Sequence, residues 1–151
     1  MYSFETLKPG QQFSSGGRTL TETDLVMFSM IVGDWHAIHA DEVHAQATRI
    51  GRRMFHGTFG ISLAIAQSAD LLPLTNRIVA ALGLRDWSFK APLFIGDTVH
   101  TEVTISDTRV TSNGRRGVIG RTIRLMKHDG TVAQEGIADL LVELETTAPN
   151  E

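Results

Sequence analysis

Four of the six histidines, His36, His39, His44 and His56, fall within residues 36–56 of a chain that has no cysteine. Histidine has an ordinary pKa of about 6.5, so it takes and gives protons near neutral pH. The stretch Gly33-Asp34-Trp35-His36-Ala37-Ile38-His39-Ala40-Asp41 adds a carboxylate, Asp34, five residues before His39. A carboxylate and a neutral imidazole in one loop can hold a water between them and move its protons. His56-Gly57 opens a long run of small and apolar residues. At the start of a helix the first N–H groups have no helical partner and, with the helix dipole, stabilise negative charge as it develops. Ser62 follows one to two turns into that run, with a hydroxyl to donate.

Each feature also has a plainer reading. An Asp after a helix-ending Gly serves as a turn or cap residue. A His beside apolar residues is commonly a satisfied, part-buried side chain. A Ser inside a helix often bonds back to a carbonyl one turn earlier. The histidine cluster suggests a metal, but the chain has no His-Glu-x-x-His and no thiolate, so no metal and no other cofactor is expected. The ordered combination carries the weight, not any one dipeptide.

These residues need elements to hold them. Thr21-Glu22-Thr23-Asp24 precedes an apolar stripe at Leu25, Phe28 and Val32, and Gly33 follows. Thr21 with Asp24 fits a helix cap and Gly33 a terminator, which predicts a helix over 22–32. Asp41 to Thr48 reads as a second, short helix. Residues 57–72 are apolar or small nearly all round and Pro73 ends them, the composition of a helix buried on most sides. Beyond Pro73 the period falls to two. Val99, Thr101, Val103 and Ile105 alternate with His100, Glu102, Thr104 and Ser106, as in a half-buried antiparallel strand. Asn113-Gly114 and Asp129-Gly130 read as turns leading to runs at Val118–Met126 and Thr131–Leu144. With 76–90 as the first strand of this series, and a loop and edge strand in the first twenty residues, the fold is α+β: a strand meander wrapping one helix.

Composition bounds the rest. The 151 residues fit one domain, 1–151, and 42% apolar with 21% charged content is that of a globular chain. A formal charge of −3 lacks the basic excess of a nucleic-acid binder. The start Met1-Tyr2-Ser3-Phe4-Glu5 has no charged leader with an apolar core, and no apolar run approaches the roughly 18 residues of a membrane span. The expectation is a soluble, cytoplasmic domain with neither nucleic acid nor membrane as partner.

The sequence resembles the MaoC-like dehydratases, a family that includes the (R)-specific enoyl-CoA hydratases. That family's hydratase motif places an Asp five residues before a His, with Asn-Pro and an aliphatic residue between them and an acidic residue two further on. Asp34, Ile38, His39 and Asp41 match it, while His36 and Ala37 stand where Asn and Pro are usual. The family's Ala-His-Gly-Met segment resembles Phe55-His56-Gly57-Thr58, and its serine six residues after that His falls at Ser62. Trp87 to Val99 and Asp129-Gly130 are also similar to the family, so the likeness runs over roughly residues 5–145.

The resemblance implies a hot-dog fold, with an antiparallel sheet around helix 57–72, and a homodimer or dimer-based homo-oligomer with acyl-CoA tunnels near the subunit interface. The implied reaction is reversible hydration of a trans-2-enoyl-CoA to an (R)-3-hydroxyacyl-CoA in fatty acid metabolism, with coenzyme A as part of the substrate. Asp34 and His39 would be the catalytic pair, Gly57 N–H the oxyanion donor and Ser62 a positioning group. His36 and His56 are candidate substrate contacts. Arg49, Arg52, Arg53, Lys90, Arg115 and Arg116 are candidates for the CoA phosphates. Ala37 gives up the φ restraint of the usual proline, so Trp35 is expected to anchor the loop by burying its ring. His36 then either reads a polar group on the substrate or bonds the backbone as Asn would. A hot-dog thioesterase, a non-catalytic acyl-CoA-binding protein and an interaction module remain as alternatives.

Overall fold

In the computed structural model, Thr21 and Asp24 start the first long helix by exchanging bonds: Asp24 N–H donates to Thr21 Oγ1 (3.3 Å) and Thr21 N–H to Asp24 Oδ2 (2.9 Å). Gly33, at φ 72°, ends that helix in the left-handed region that glycine adopts without strain. The structure describes residues 4–72 and 77–144. The expected stop at Pro73 and the first residue of the 76–90 strand lie outside the described residues.

In chain order come a 3-10 turn (Phe4–Thr6), β1 (Gln12–Ser14), β2 (Arg18–Thr19), α1 (Glu22–Val32), α2 (Ala37–Ala40), α3 (Glu42–Ala47) and α4 (Gly57–Leu71). Then follow β3 (Ile78–Phe89), β4 (Thr98–Val110), β5 (Arg116–Lys127) and β6 (Val132–Glu143). The short helix expected from Asp41 to Thr48 is α3, which Asp41 caps by accepting from His44 N–H at 3.0 Å, and the loop before it holds a further helix, α2. The sequence pattern missed α2 because four residues are too few to display a period.

The strands form one antiparallel sheet in the order β1-β4-β5-β6-β3, with β2 also paired to β4. Val103 pairs with Ile123 and Ile123 with Gly136, so the meander continues across two hairpins. Gly114 (φ 69°) and Gly130 (φ 87°) turn them, as Asn-Gly and Asp-Gly predict. Leu25, Phe55, Phe59, Leu63, Val103 and Ile123 belong to one buried cluster between α4, the sheet and the segment before α4. Burying each such side chain stabilises the fold by about 1.5–3 kcal/mol relative to exposure.

Helix α4 is enclosed on one side only. Phe59, Gly60, Leu63, Ala64 and Ser68 are buried against the sheet, while Thr58, Ser62, Ala66 and Asp70 are exposed. A single sheet covers one face of a helix, and the small residues opposite are left uncovered in the lone chain. Its first turn is fixed by a close approach: a Cβ on Gly60 would lie 2.1 Å from Gln134 Nε2, so only glycine leaves room for that amide. Gln134 uses the space to donate to Gly57 O (2.9 Å) while accepting from Trp87 Nε1 (3.1 Å).

Candidate active site

The loop after Gly33 is held by bonds between its own residues and the segment preceding α4. Asp34 Oδ1 accepts from His36 N–H (3.1 Å), and His36 Nδ1 accepts from Ile38 N–H (3.4 Å), capping α2. His39, third in α2, donates from Nδ1 to Met54 O at 2.7 Å. His56 donates from Nε2 to Asp34 O at 3.0 Å, because a carbonyl can only accept. Met54 N–H returns to Ile38 O (3.2 Å), and Phe55 N–H bonds Leu93 O (2.8 Å), tying this segment to the β3–β4 connection. The two imidazoles stack with centroids 3.8 Å apart.

Trp35 does not anchor the loop as expected; it is 52% exposed. The hydrogen bonds of Asp34, His36, His39 and His56 hold the loop without either a proline or a buried indole. For His36 the structure favours backbone support over substrate reading, since its Nδ1 is spent on Ile38.

The bond to Met54 fixes His39 with its proton on Nδ1, leaving the Nε2 lone pair toward Asp34 Oδ2 at 3.9 Å. His56 Nε2 lies 3.7 Å from the same oxygen. His56 is almost wholly buried, and its Nδ1 has no hydrogen-bond partner among the described residues. The His36 N–H, and then the neighbouring imidazoles, hold the Asp34 carboxyl below its ordinary 3.8, so it is anionic at neutral pH. Burial holds His39 below 6.5 against the opposing pull of its bond to Met54, so it is neutral there. The resting pair is a carboxylate facing a free imidazole lone pair, the state needed to accept a proton from water.

Asp34, His39 and His56 also offer three ligand atoms within 4.8 Å of one another. However, His56 Nε2 carries the proton it gives to Asp34 O, which leaves it no lone pair for a metal while that bond stands. The donor set as bonded suits proton transfer better than coordination.

Gly57 follows His56 as the first residue of α4, and no side chain caps that helix start among the described residues. Its N–H is therefore one of the free donors that a helix presents at its beginning. A cavity of about 460 Å³ opens at His56 and Gly57, walled by Ile50, Phe89, Pro92 and Leu93. Ser62 lies on the exposed face of α4 and donates to Thr58 O (3.0 Å), the back-bond of a helical serine. Of the basic residues considered for phosphate, Arg53 is engaged by Glu22 and Glu42, Lys90 by Glu135 and Arg116 by Glu143. Arg52 lies over the Phe94 ring at 3.9 Å. Sequence reasoning missed Gln134; its one signal is an amide on the alternating face of β6 that Gly136, Ala138, Leu140 and Val142 share and bury, visible only once the register is known.

Residues 4–124 match the MaoC-like domain, and the chain belongs to the MaoC-like dehydratase family. It is 34% identical over 101 residues to protein MaoC of Klebsiella aerogenes, covering 67% of this chain and 30% of that protein. It is 33% identical over 106 residues to an (R)-specific enoyl-CoA hydratase of Rhodospirillum rubrum, covering 70% of this chain and 71% of that one. A Mycobacterium tuberculosis protein with a double hot-dog fold superposes with a TM-score of 0.86 at 22% identity, over 99% of this chain and 46% of that one. The sheet curved on α4 is thus a hot-dog fold.

Proposed function

We propose that the chain hydrates a trans-2-enoyl-CoA reversibly to the (R)-3-hydroxyacyl-CoA. The observation that carries this reading is the anionic Asp34 facing the free Nε2 of neutral His39 beside an uncapped helix start. Similarity to a protein named (R)-specific enoyl-CoA hydratase supports it. A water held between Asp34 and His39 loses a proton to the pair as its oxygen bonds C3, and the pair returns a proton to C2. Negative charge then gathers on the thioester oxygen, where the Gly57 N–H donates; one such donor is typically worth about 2.7–4 kcal/mol. His56 holds Asp34 through its carbonyl. Ser62 would donate to the substrate only after leaving its bond to Thr58, but can accept from it with that bond in place. The reaction balances with water and substrate alone, so neither metal nor cofactor is invoked.

The working form is a cytoplasmic homodimer in this reading. Among the described residues β3 pairs with β6 alone, and its Val79, Leu82, Leu84 and Phe89 are exposed beside the uncovered face of α4. A free strand edge with apolar side chains favours pairing with a second copy. No helix among the described residues is long and apolar enough to cross a membrane.

The test is a panel of 2-enoyl-CoA esters followed by loss of the conjugated-thioester absorbance, with free thiol measured in parallel. Loss of absorbance without thiol release is expected. Thiol release would assign a thioesterase instead, and tight binding without turnover would assign an acyl-CoA-binding protein.

A further inference from the structure

Arg121 lies in β5 with its side chain under the far half of α4, and it is 2% exposed. Its Nε donates to Ala138 O (2.8 Å) and its Nη1 to Ser68 Oγ (3.3 Å). A guanidinium has five N–H donors, so these bonds leave three of them unused. Asp139, the carboxylate whose charge Arg121 feels, is itself ion-paired with Arg85 at 2.5 Å. The Arg121 guanidinium therefore forms no ion pair among the described residues. Burial pulls its pKa down to about 10, which still leaves it cationic at neutral pH.

This cation lines a second cavity, of about 330 Å³, whose other walls include Ile65 of α4, Ile78, Ala81 and Leu84 of β3, and Leu140 of β6. A buried charge without a partner is costly, and proteins keep one where something pairs with it. Apolar walls with one cation complement an aliphatic chain ending in one negative charge. A phosphate carries more charge and hydration than a single guanidinium between apolar walls can replace. A carboxylate matches the planar fork in charge and shape.

The helix links this cavity to the proposed reaction centre. Gly57 and Ser68, eleven residues apart, lie about 20° apart around the α4 axis and roughly 16 Å apart along it. Ile61 and Ile65, both half-buried, fall between them along the helix. An extended chain advances about 1.1–1.2 Å per bond, so about 14 bonds cover that span, and a C12 enedioyl chain supplies roughly 13 between its terminal oxygens. We propose that the Arg121 cavity binds the carboxylate at the far end of the substrate's acyl chain, making a long 2-enoyl-CoA with an ω-carboxylate a preferred substrate. The proposal rests on the hydratase reading for its substrate, but the carboxylate site can be tested apart from it.

Wild type, Arg121→Met and Arg121→Lys are compared on the C12 2-enoyl-CoA and the C12 2-enedioyl-CoA. Calorimetry with free dodecanedioate runs alongside. Wild type is expected to favour the enedioyl ester in kcat/KM. Arg121→Met should lower that preference by at least about 30-fold, the low end for a desolvated charge pair, with Lys restoring part of it. No preference in wild type, or the same preference in the folded Met variant, overturns the proposal while leaving hydration intact. If wild type hydrates neither ester nor crotonyl-CoA, the hydratase reading fails and calorimetry decides. Dodecanedioate bound by wild type and lost in Arg121→Met would keep the carboxylate site and assign it to a free acid; absence of binding would overturn it.

Discussion

The two ends of α4 solve the problem of placing charge near a core in opposite ways. At the start, Asp34, His36, His39 and His56 hold one another and the backbone in a short-range network, and Asp34 keeps half its side chain in solvent. At the other end a single guanidinium is buried, held by one carbonyl and one hydroxyl. The first arrangement keeps its carboxylate half in solvent and leaves that carboxylate and the His39 lone pair ready to move protons. The second pays a large desolvation cost for a group that cannot exchange its proton near neutral pH. Chemistry suits the first end and recognition the second.

The largest expected effect breaks the first end. Asp34→Asn and His39→Ala should each lower turnover by at least about 100-fold, the low end for general acid–base groups, in a protein that stays folded. The double variant should be little worse than the worse single, since groups acting as a unit are not additive. Steady-state kinetics with folding checked by circular dichroism decides this, and near-wild-type turnover in either folded single variant removes the mechanism. A smaller effect sharpens the comparison from the sheet side. Gln134→Leu strands the Gly57 carbonyl and the Trp87 N–H, each at about 1–3 kcal/mol if left buried and unpaired. Thermal unfolding should show a loss of at least about 2 kcal/mol, the sum of the two low ends. An unchanged Tm would mean that Gln134 does not strap α4 to the sheet.

The same contrast explains what could be read from the sequence. The α1 cap at Thr21, the Gly33 stop, α4 and the hairpin turns were legible because each is set by residues within a few positions of one another. The Asp34–His39 pair and His56 were legible for the same reason, and the stretch folds back on itself as a local unit. Trp35 was misread because only the folded loop reveals that hydrogen bonds, not a buried ring, hold it. The exposed face of α4 looked buried because small and apolar residues alone do not say whether the sheet or a second chain covers them. Arg121 and Gln134 were silent: the partners of Arg121 come from α4 and β6, those of Gln134 from α4 and β3, and strand register alone brings them together.

The smallest expected effect concerns pH, where only the first end should respond near neutrality. Burial holds His39 below 6.5 in the fold, so the unfolded chain takes up this proton at a higher pH than the native one. More protons bound by the unfolded state means that stability rises with pH, so the contribution of neutral His39 is complete above 6.5 and is lost as pH falls toward its native pKa. Asp34, held below 3.8, adds a loss of the same direction only at lower pH. Arg121 stays protonated in both states from about pH 4 to about pH 9 and contributes no slope there. Tm measured from about pH 7 to about pH 5 should therefore fall in wild type and in Arg121→Met alike, and fall less steeply in His39→Ala. The acid limb of kcat/KM should lie below 6.5 for the same cause, since protonated His39 cannot accept from water. A Tm slope in His39→Ala equal to that of wild type, or an acid limb above 6.5, would show that His39 is not the neutral, desolvated base that its bond to Met54 and its burial make it.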